Sequence, residues 1–236
     1  MFDALFSGSS LLDIWMMSAL YPKELSVGHL NIHHLANKVI DLNAFLSQSD
    51  FLCVSETRLS AHVSDDPNCF ILWSDANGSG HTGTAVYVHD TIRNTTCWQY
   101  DLESEHVESI WFQVKPGRGP PIVVAFIYRK PSFVWFDEFV SMLDKVLDHK
   151  HVNYILLLGD FDIDMFEPHP IWESTLSLFN LHQCVQSATR VTLRATTFVD
   201  HIYVNNLDKI IRTFVSKISM SNNYPVPNWK THYCNI

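Results

Sequence analysis

Three carboxylates follow a short apolar run in the second half of the chain. The run covers residues 155–158 and ends at Gly159, after which come Asp160, Asp162 and Asp164. An apolar run bounded by glycine is typical of a fully buried strand, and Gly159 would let the chain turn there. Alternate residues of an extended segment share a face, so Asp160 and Asp162 could point at one spot. There they would need a cation, a basic partner or a shared proton; the alternative is a solvated turn rich in aspartate.

Polar residues stand at comparable positions along other predicted strands. Four of them end or directly follow an apolar run, and a fifth lies near the middle of one. The five are Asn31, Glu56, Tyr128, Asp160 and Asp200. Neighbouring strand ends converge at one edge of a sheet, where α/β proteins build their sites. We therefore expect these side chains to meet at one end of the fold.

Each of these residues also has a purely structural interpretation. Glu56 could cap a turn or pair with Arg58. Tyr128 could be a core aromatic residue with its hydroxyl at the rim. Asp200 could be a buried carboxylate satisfied by backbone N–H groups. Because five such coincidences are harder to explain structurally than one, the set as a whole favours a functional site.

The composition limits the classes of function. Of the 236 residues, 47% are hydrophobic and 17% charged, which is typical of an ordered globular protein with a sizeable core. A net charge of −9 argues against a strongly basic protein that binds nucleic acid non-specifically. It leaves room for an enzyme that holds a phosphodiester through metal ions. The 5 cysteines are scattered and form no C-x-x-C pair, which suits reduced thiols rather than a zinc site.

Strand and helix patterns alternate along most of the chain. Residues 1–24 are apolar in patches that are too short to span a bilayer and lack a basic start, so we expect a leader segment or a short helix there. One domain is expected over 25–236. Strands are predicted at 25–31, 51–55, 84–89, 107–114, 122–128, 155–158, 197–204 and 210–218. Helices are predicted at 38–46, 132–148 and 172–181. Short turns link several strands, which favours a mixed sheet or two packed sheets.

Six short motifs occur in an order that resembles a known family. They are His29-Leu30-Asn31-Ile32, Ser55-Glu56-Thr57, Tyr128-Arg129, Gly159-Asp160-Phe161, Ala188-Thr189-Arg190 and Val199-Asp200-His201-Ile202. Together they resemble the endonuclease/exonuclease/phosphatase superfamily, and in particular the endonuclease domains of LINE-type non-LTR retrotransposons, over residues 25–226. The resemblance implies an α/β, DNase-I-like, four-layer sandwich in which two mixed β-sheets pack face to face between helices. It also implies cleavage of a phosphodiester in DNA with Mg²⁺ or Mn²⁺.

The resemblance further implies a role for each matching residue. Glu56 would hold the metal ion with Asn31 beside it, and Tyr128 would hydrogen-bond the phosphate. Asp160 would orient or deprotonate the attacking water, and Asp200 would orient a catalytic histidine. Residues that would contact the phosphate or the DNA are Arg129, Thr189 and Arg190. Such a set is chemically intelligible, because phosphodiester cleavage needs cations and donors where charge develops and a base for water.

The sequence departs from the family pattern at three positions. Asp162 replaces the last residue of the family's Gly-Asp-Phe-Asn, and Ser221-Asn222-Asn223 replaces its Ser-Asp-His. Asn222 therefore stands where a metal-binding carboxylate is expected, and Asn223 where the catalytic histidine is expected. Asparagine neither takes up a proton nor carries charge near neutral pH, and Asp162 would repel a phosphate. Since losing one positioned donor or acid typically costs about 10²–10⁴ in rate, we expect impaired cleavage.

These residues predict a retrotransposon-derived, metal-dependent endonuclease domain with weak or no activity. The alternatives are a non-catalytic remnant that binds nucleic acid or protein, and a phosphatase of small molecules, which the motifs favour least. Because Asp162 adds a carboxylate where Asn222 lacks one, we expect Glu56, with Asp160 or Asp162, still to bind a divalent cation. The alternative is that the displaced carboxylate does not reach the ion. We also expect a DNA partner, a monomer, no membrane association and an intracellular, including nuclear, location.

Overall fold

Fifteen strands and two α-helices lie in the part of the chain that the computed structural model describes. That part comprises residues 25–32, 49–58, 69–74, 83–89, 92, 95–98, 107–115, 120–129, 136–147, 152–191, 194–216, 228–229 and 231–235. The strands are β1 (Ser26–Asn31), β2 (Phe51–Ser55), β3 (Cys69–Ser74), β4 (Thr84–His89), β5 (Thr95–Trp98), β6 (Val107–Val114), β7 (Ile122–Arg129), β8 (Tyr154–Asp160), β9 (His182–Gln183), β10 (Arg190–Val191), β11 (Thr196–Thr197), β12 (Asp200–Val204), β13 (Arg212–Ser216), β14 (Asn228–Trp229) and β15 (Thr231–Asn235). The helices are α1 (Phe136–Leu147) and α2 (Pro170–Leu178).

The strands form two six-stranded sheets and one small sheet. The order in the first sheet is β13-β15-β1-β2-β4-β3, and in the second sheet β5-β6-β7-β8-β12-β9. A small sheet has the order β11-β10-β14. Each large sheet contains one parallel pair near its centre, β1 with β2 and β7 with β8, and its other neighbours are antiparallel. Both large sheets are therefore mixed, as the sequence predicted.

The main core lies between the two large sheets. Phe51 and Val86 from the first sheet join one buried cluster with Phe112, Phe126 and Leu156 from the second sheet. The rings of Phe51 and Phe112 lie 5.2 Å apart. Removing apolar side chains from water contributes roughly 25 cal/mol per Å² of buried area, so this face-to-face contact stabilises the fold.

The helices cover the other face of the second sheet. Phe139 and Leu143 of α1 are fully buried in a second cluster that includes Leu157 of β8 and Trp172 of α2. This confirms the predicted inward face of the helix at 132–148, whereas the position of Trp135 lies outside the described residues. No helix in the described ranges is long and apolar enough to cross a membrane.

The fold class is confirmed, with two mixed sheets packed face to face and helices on the outside. Three strands, β2, β4 and β6, have the predicted bounds. The helix predicted at 38–46 and the leader at 1–24 lie outside the described residues, so both stay predictions. The strands that were not predicted are β3, β5, β9, β10, β14 and β15.

Gly159 does not turn the chain, contrary to the sequence-based expectation. It lies inside β8, opposite Ile127 of β7. Its φ is +147°, and a Cβ at this position would lie 1.8 Å from the carbonyl oxygen of Ile127. Glycine is thus required because β8 approaches β7 too closely for a side chain, one residue before Asp160.

The strand predicted at 197–204 is divided, which corrects the position of Asp200. Thr196–Thr197 pairs within the small sheet, and β12 begins at Asp200 in the second sheet. Between them, the N–H of Phe198 donates to Oδ1 of Asp164 at 2.9 Å, and the N–H of Val199 donates to Oγ1 of Thr189 at 3.0 Å. Side-chain acceptors replace ladder partners here, so the chain can change sheets without unsatisfied N–H groups. Asp200 is consequently a strand-end residue.

Candidate active site

A row of four polar side chains crosses the second sheet. Glu108 on β6 lies opposite Tyr128 on β7, which lies opposite Asp160 on β8, which lies opposite Asp200 on β12. Residues directly opposite one another in a sheet present their side chains on the same face. The second sheet therefore presents one hydroxyl among three carboxylates. Glu108 belongs to none of the sequence motifs and was not predicted as a site residue.

The amide of Asn31 connects this row to the first sheet. Its Nδ2 donates to Oε1 of Glu56 at 2.8 Å and to Oδ2 of Asp160 at 3.0 Å. Asn31 and Ser55 end two parallel strands side by side, which places Glu56 next to Asn31. The predicted convergence of Asn31, Glu56 and Asp160 at one end of two packed sheets is confirmed, while their chemical roles stay predictions.

Glu56 is presented by a turn with unusual backbone geometry. Its φ is +54°, and that of Arg58 is +50°. Left-handed conformations cost a non-glycine residue about 1–3 kcal/mol and occur preferentially at functional sites. The predicted alternative, a pair with Arg58, is present only at 4.0 Å between Oε2 and Nη2. Because both side chains are partly exposed, such a pair contributes little to stability.

The carboxyl group of Asp160 is held in an environment that disfavours its charge. Removal from water raises the pKa of Asp160 well above its ordinary value, and the nearby negative charge of Asp200 raises it further. Hydrogen bonds from the amide of Asn31 and from the backbone N–H of Asp162 act in the opposite direction. The position is therefore electrostatically unfavourable for an anion unless a positive charge is brought close to it.

The hydroxyl group of Tyr128 stays protonated at neutral pH. Burial raises the pKa of Tyr128, and the charges of Glu56 and Asp160 raise it further. A protonated phenol donates a hydrogen bond, which is the property that contact with a phosphate oxygen requires. The alternative interpretation, a core aromatic residue with its hydroxyl at the rim, is compatible with the same position and assigns the hydroxyl no contact with phosphate.

Asp200 lies between the two sheets at the end of β12. Its backbone N–H donates to Oγ1 of Thr189 at 3.1 Å, so Thr189 fixes the start of the strand. Its Oδ1 lies 3.6 Å from Nδ1 of His29, a first-sheet residue that is 1% exposed. Nε2 of His29 is 3.2 Å from Oγ of Ser55. The sequence contains His29 in the first motif, but nothing in the pattern indicated that it would face Asp200.

Asp162 departs from the predicted geometry. Its φ is +48°, so the segment after Asp160 is not the extended chain on which that expectation rested. Nη2 of Arg129 donates to the backbone oxygen of Asp162 at 2.7 Å and to its Oδ2 at 3.2 Å. Asp162 has thus taken a basic partner, and the predicted phosphate-binding Arg129 is that partner. Asp164 is structural, because its Oδ1 accepts from the backbone N–H groups of Phe166 and Phe198.

The remaining predicted residues are Arg190, Asn222 and Asn223. Arg190 is exposed on β10 of the small sheet, opposite Thr197. Asn222 and Asn223 lie outside the described residues, so their roles stay predictions.

The described residues offer oxygen ligands suited to a hard cation. Among them, no three His, Cys, Asp or Glu side chains form a metal-binding group. In the same part of the chain, Oδ1 of Asn31 is buried and makes no hydrogen bond. An orphaned amide oxygen beside the carboxylate of Glu56 is the type of ligand pair that Mg²⁺ takes, usually together with water and substrate oxygens.

Comparison with known proteins finds likeness in structure rather than in sequence. No protein-family model and no curated protein matches the chain. The endonuclease domain of TRAS1, a telomere-specific non-LTR retrotransposon, has a TM-score of 0.66 at 17% identity, covering 90% of this chain and 98% of that domain. The 3′ phosphatase NExo from Neisseria, bound to product DNA hairpin, has a TM-score of 0.68 at 15% identity, covering 89% and 98%. An endonuclease/exonuclease/phosphatase family protein from Leptotrichia buccalis has a TM-score of 0.60 at 16% identity, also covering 89% and 98%.

Proposed function

We propose, from the premise that this chain has the fold of the endonuclease/exonuclease/phosphatase proteins, that it is a DNA-directed phosphodiesterase domain derived from a retrotransposon endonuclease. The observation that carries the proposal is the amide of Asn31, which joins the carboxylates of Glu56 and Asp160 across the two sheets. Likeness to a retrotransposon endonuclease domain and to an enzyme bound to product DNA supports DNA as the substrate.

Asn31 and Glu56 are the residues that would hold Mg²⁺ or Mn²⁺, with Asp160 beside them. Their oxygens are the ligands that hard cations prefer. When bound, the cation would supply positive charge where negative charge develops on the phosphate. Asp162 was expected to help Glu56 bind the cation, but it is a poor candidate for that role because its carboxylate is paired with Arg129.

Three side chains of this protein would then have separate roles in the reaction. A carboxylate with a raised pKa is a better proton acceptor, which suits Asp160 to take a proton from the attacking water. The hydroxyl of Tyr128 would donate to a phosphate oxygen. Within the described residues, Asp200 would be contacted by His29, whose Nδ1 lies 3.6 Å from its Oδ1.

Cleavage would be slow because the residue at 223 cannot act as an acid. Asn223 can neither donate a titratable proton nor become cationic. The loss of one such group typically lowers a rate about 10²–10⁴-fold. A domain that binds its substrate and cation but turns over rarely is the expected result.

A plasmid-nicking assay tests this proposal. The wild-type chain, Glu56→Ala and the double variant Asn222→Asp/Asn223→His would be compared in Mg²⁺, Mn²⁺ and EDTA. We expect weak or undetectable nicking by the wild type and a gain of about 10²-fold or more by the double variant in Mg²⁺ or Mn²⁺. Addition of Glu56→Ala to the double variant should abolish the gain, because it removes a cation ligand.

Two results would oppose the proposal. Nicking that persists in EDTA would exclude a cation-dependent mechanism. A correctly folded double variant that stays inactive, and that binds neither Mn²⁺ nor DNA, would show that the Asn31–Glu56–Asp160 cluster is only structural.

A non-catalytic DNA-binding or protein-binding remnant is the second candidate. The ion pair between Arg129 and Asp162 favours it, because the pair engages an arginine that would otherwise be available to a phosphate. This candidate predicts no cleavage by the wild type in any metal ion, and no gain in the double variant.

A further inference from the structure

Glu108 is a buried carboxylate to which the proposed function assigns no role. It lies on β6, opposite Tyr128, and is 5% exposed. Burying a carboxylate costs several kcal/mol unless hydrogen bonds compensate it, roughly 1.5–3 kcal/mol each for a charged acceptor. The contacts of Glu108 therefore indicate what its position achieves.

The carboxylate of Glu108 begins a short chain of contacts across the two sheets. Its Oε2 accepts a hydrogen bond from the backbone N–H of Gly83 at 3.2 Å. The carbonyl oxygen of Gly83 in turn accepts from the N–H of Thr57 at 3.1 Å. Glu108 belongs to the second sheet, whereas Gly83 directly precedes β4 of the first sheet. We refer to Glu108, Gly83 and Thr57 as the inter-sheet brace.

Gly83 fits this brace closely. Its φ is +116°, a conformation that favours glycine. A Cβ at Gly83 would lie 2.7 Å from Oγ1 of Thr57, a contact too short to be accommodated without movement. Thr57 is itself 2% exposed. The backbone of Gly83 therefore packs closely against the Thr57 side chain.

We propose that Glu108 is a positioning residue of the candidate active site, which through Gly83 and Thr57 holds the left-handed turn that presents the Glu56 carboxylate to Asn31. The inference rests on the proposed function in treating Glu56 as a site residue. The inter-sheet brace consists of hydrogen bonds that do not require a bound cation.

The turn needs an external support because it is unfavourable alone. Glu56 and Arg58 both have positive φ, and each costs about 1–3 kcal/mol that the surroundings must offset. The N–H of Thr57, between them, is bonded to Gly83. Loss of the Glu108 carboxylate would free the N–H of Gly83 and thereby weaken the support of Thr57. The Glu56 side chain would then no longer be held in its present direction.

Two mechanisms for Glu108 are separable by substitution. If it acts as the proposed hydrogen-bond acceptor, Glu108→Gln keeps a neutral acceptor at the right reach, while Glu108→Asp keeps the charge but falls one methylene short. If Glu108 acts instead by its charge on the neighbouring Tyr128, Glu108→Asp should preserve its effect and Glu108→Gln should lose it. Ser109→Ala is the matched control on the same strand: Oγ of Ser109 accepts from Nε1 of Trp111, another buried side-chain contact.

Amide hydrogen exchange in EDTA tests the brace without any metal ion. We expect the amides of Gly83 and Thr57 to exchange about tenfold or more faster in Glu108→Asp and Glu108→Ala than in the wild type. In Glu108→Gln and in Ser109→Ala they should stay within about threefold of the wild type. Unchanged exchange at Thr57 in Glu108→Asp, or faster exchange in Glu108→Gln than in Glu108→Asp, would overturn the proposal. Because Asp and Gln variants decide the result, it stands even if Glu108→Ala does not fold.

Calorimetric titration with Mn²⁺ tests the consequence for Glu56. We expect Glu108→Asp to weaken Mn²⁺ binding about tenfold or more, and Ser109→Ala to leave it unchanged. Equal affinity in Glu108→Asp and wild type would overturn the positioning role. If the wild type binds no Mn²⁺, the metal part of the proposed function fails, and hydrogen exchange at Thr57 still decides the brace by itself.

Discussion

The carboxyl group of Asp160 is surrounded by groups that have opposite effects on its charge. Its neighbours across the sheet are Tyr128 and Asp200, and its hydrogen-bond donors are the Asn31 amide and the Asp162 backbone. Two N–H donors only partly offset its removal from water and the adjacent negative charge. The residue is thus arranged for a state in which a positive charge is also present.

We expect the pKa of Asp160 to be raised in the metal-free protein and to fall when Asp200 is neutralised. Burial is the larger cause and the charge of Asp200 the second, so Asp200→Asn should remove part of the shift. A ¹³C NMR titration of the Asp160 carboxyl in EDTA measures it. Asp208→Asn, an exposed carboxylate in a distant turn, is the control and should change nothing. The same pKa in Asp200→Asn and wild type would contradict the assignment.

The sign of the accompanying stability change follows from linkage. Because the folded-state pKa is raised above the ordinary value of 3.8, the folded protein binds this proton more tightly than the unfolded chain. The contribution of Asp160 to the free energy of unfolding is therefore complete below pH 3.8 and is lost as pH rises through the raised pKa. Loss of the proton leaves the carboxylate ready for a cation.

At the scale of secondary-structure elements, the contact between β7 and β8 brings Tyr128 beside Asp160. The two strands are parallel, and Gly159 faces Ile127 one row earlier. Any side chain at Gly159 would push these strands apart, since it would meet backbone rather than a flexible side chain.

We expect Gly159→Ala to destabilise the protein by more than about 3 kcal/mol, because the new methyl group combines a positive φ with a backbone clash. Chemical denaturation followed by circular dichroism measures the change. Ile127→Val, which trims the facing residue, should cost only about 0.5–1.5 kcal/mol. A Gly159→Ala protein as stable as the Ile127→Val protein would show that the strands separate without penalty.

Some strands with uninterrupted apolar runs could be predicted from sequence, although β3, another such run, was missed. A strand interrupted by tertiary contacts could not be predicted. The apolar run of β2 was sufficient to predict its bounds, because burial on both faces leaves a continuous pattern. The break at Phe198 and Val199 depends on acceptors from Asp164 and Thr189, which are distant in sequence. For the same reason, sequence position indicated Asn31, Glu56 and Asp160 but gave no sign of the pairing of Arg129 with Asp162.

At the scale of the whole molecule, the net charge of −9 opposes binding to a polyanion. Two of the arginines near the site are already engaged, Arg129 with Asp162 and Arg58 weakly with Glu56. We therefore expect any affinity for DNA to depend on an added cation.

We expect a short fluorescent DNA duplex to bind about tenfold or more tightly in Mg²⁺ than in EDTA at equal ionic strength. The physical reason is that the cation would offset the carboxylates that face the phosphate. Fluorescence anisotropy measures the affinity. Glu56→Ala should bind equally weakly in both conditions, and tight binding by the wild type in EDTA would refute the dependence on a cation.

The first sheet joins the two ends of the described chain. Ser26 at the start of β1 lies opposite Asn235 at the end of β15, in an antiparallel ladder. A pulling force applied at these two ends would load the ladder as a zipper, one residue pair at a time, rather than in shear. Unzipping from Ser26 reaches His29 and then Asn31 while the second sheet and its helices are still intact. Mechanically, the ladder from Ser26 to His29 would open first, and the inter-sheet amide of Asn31 would be lost once β1 also separates from β2.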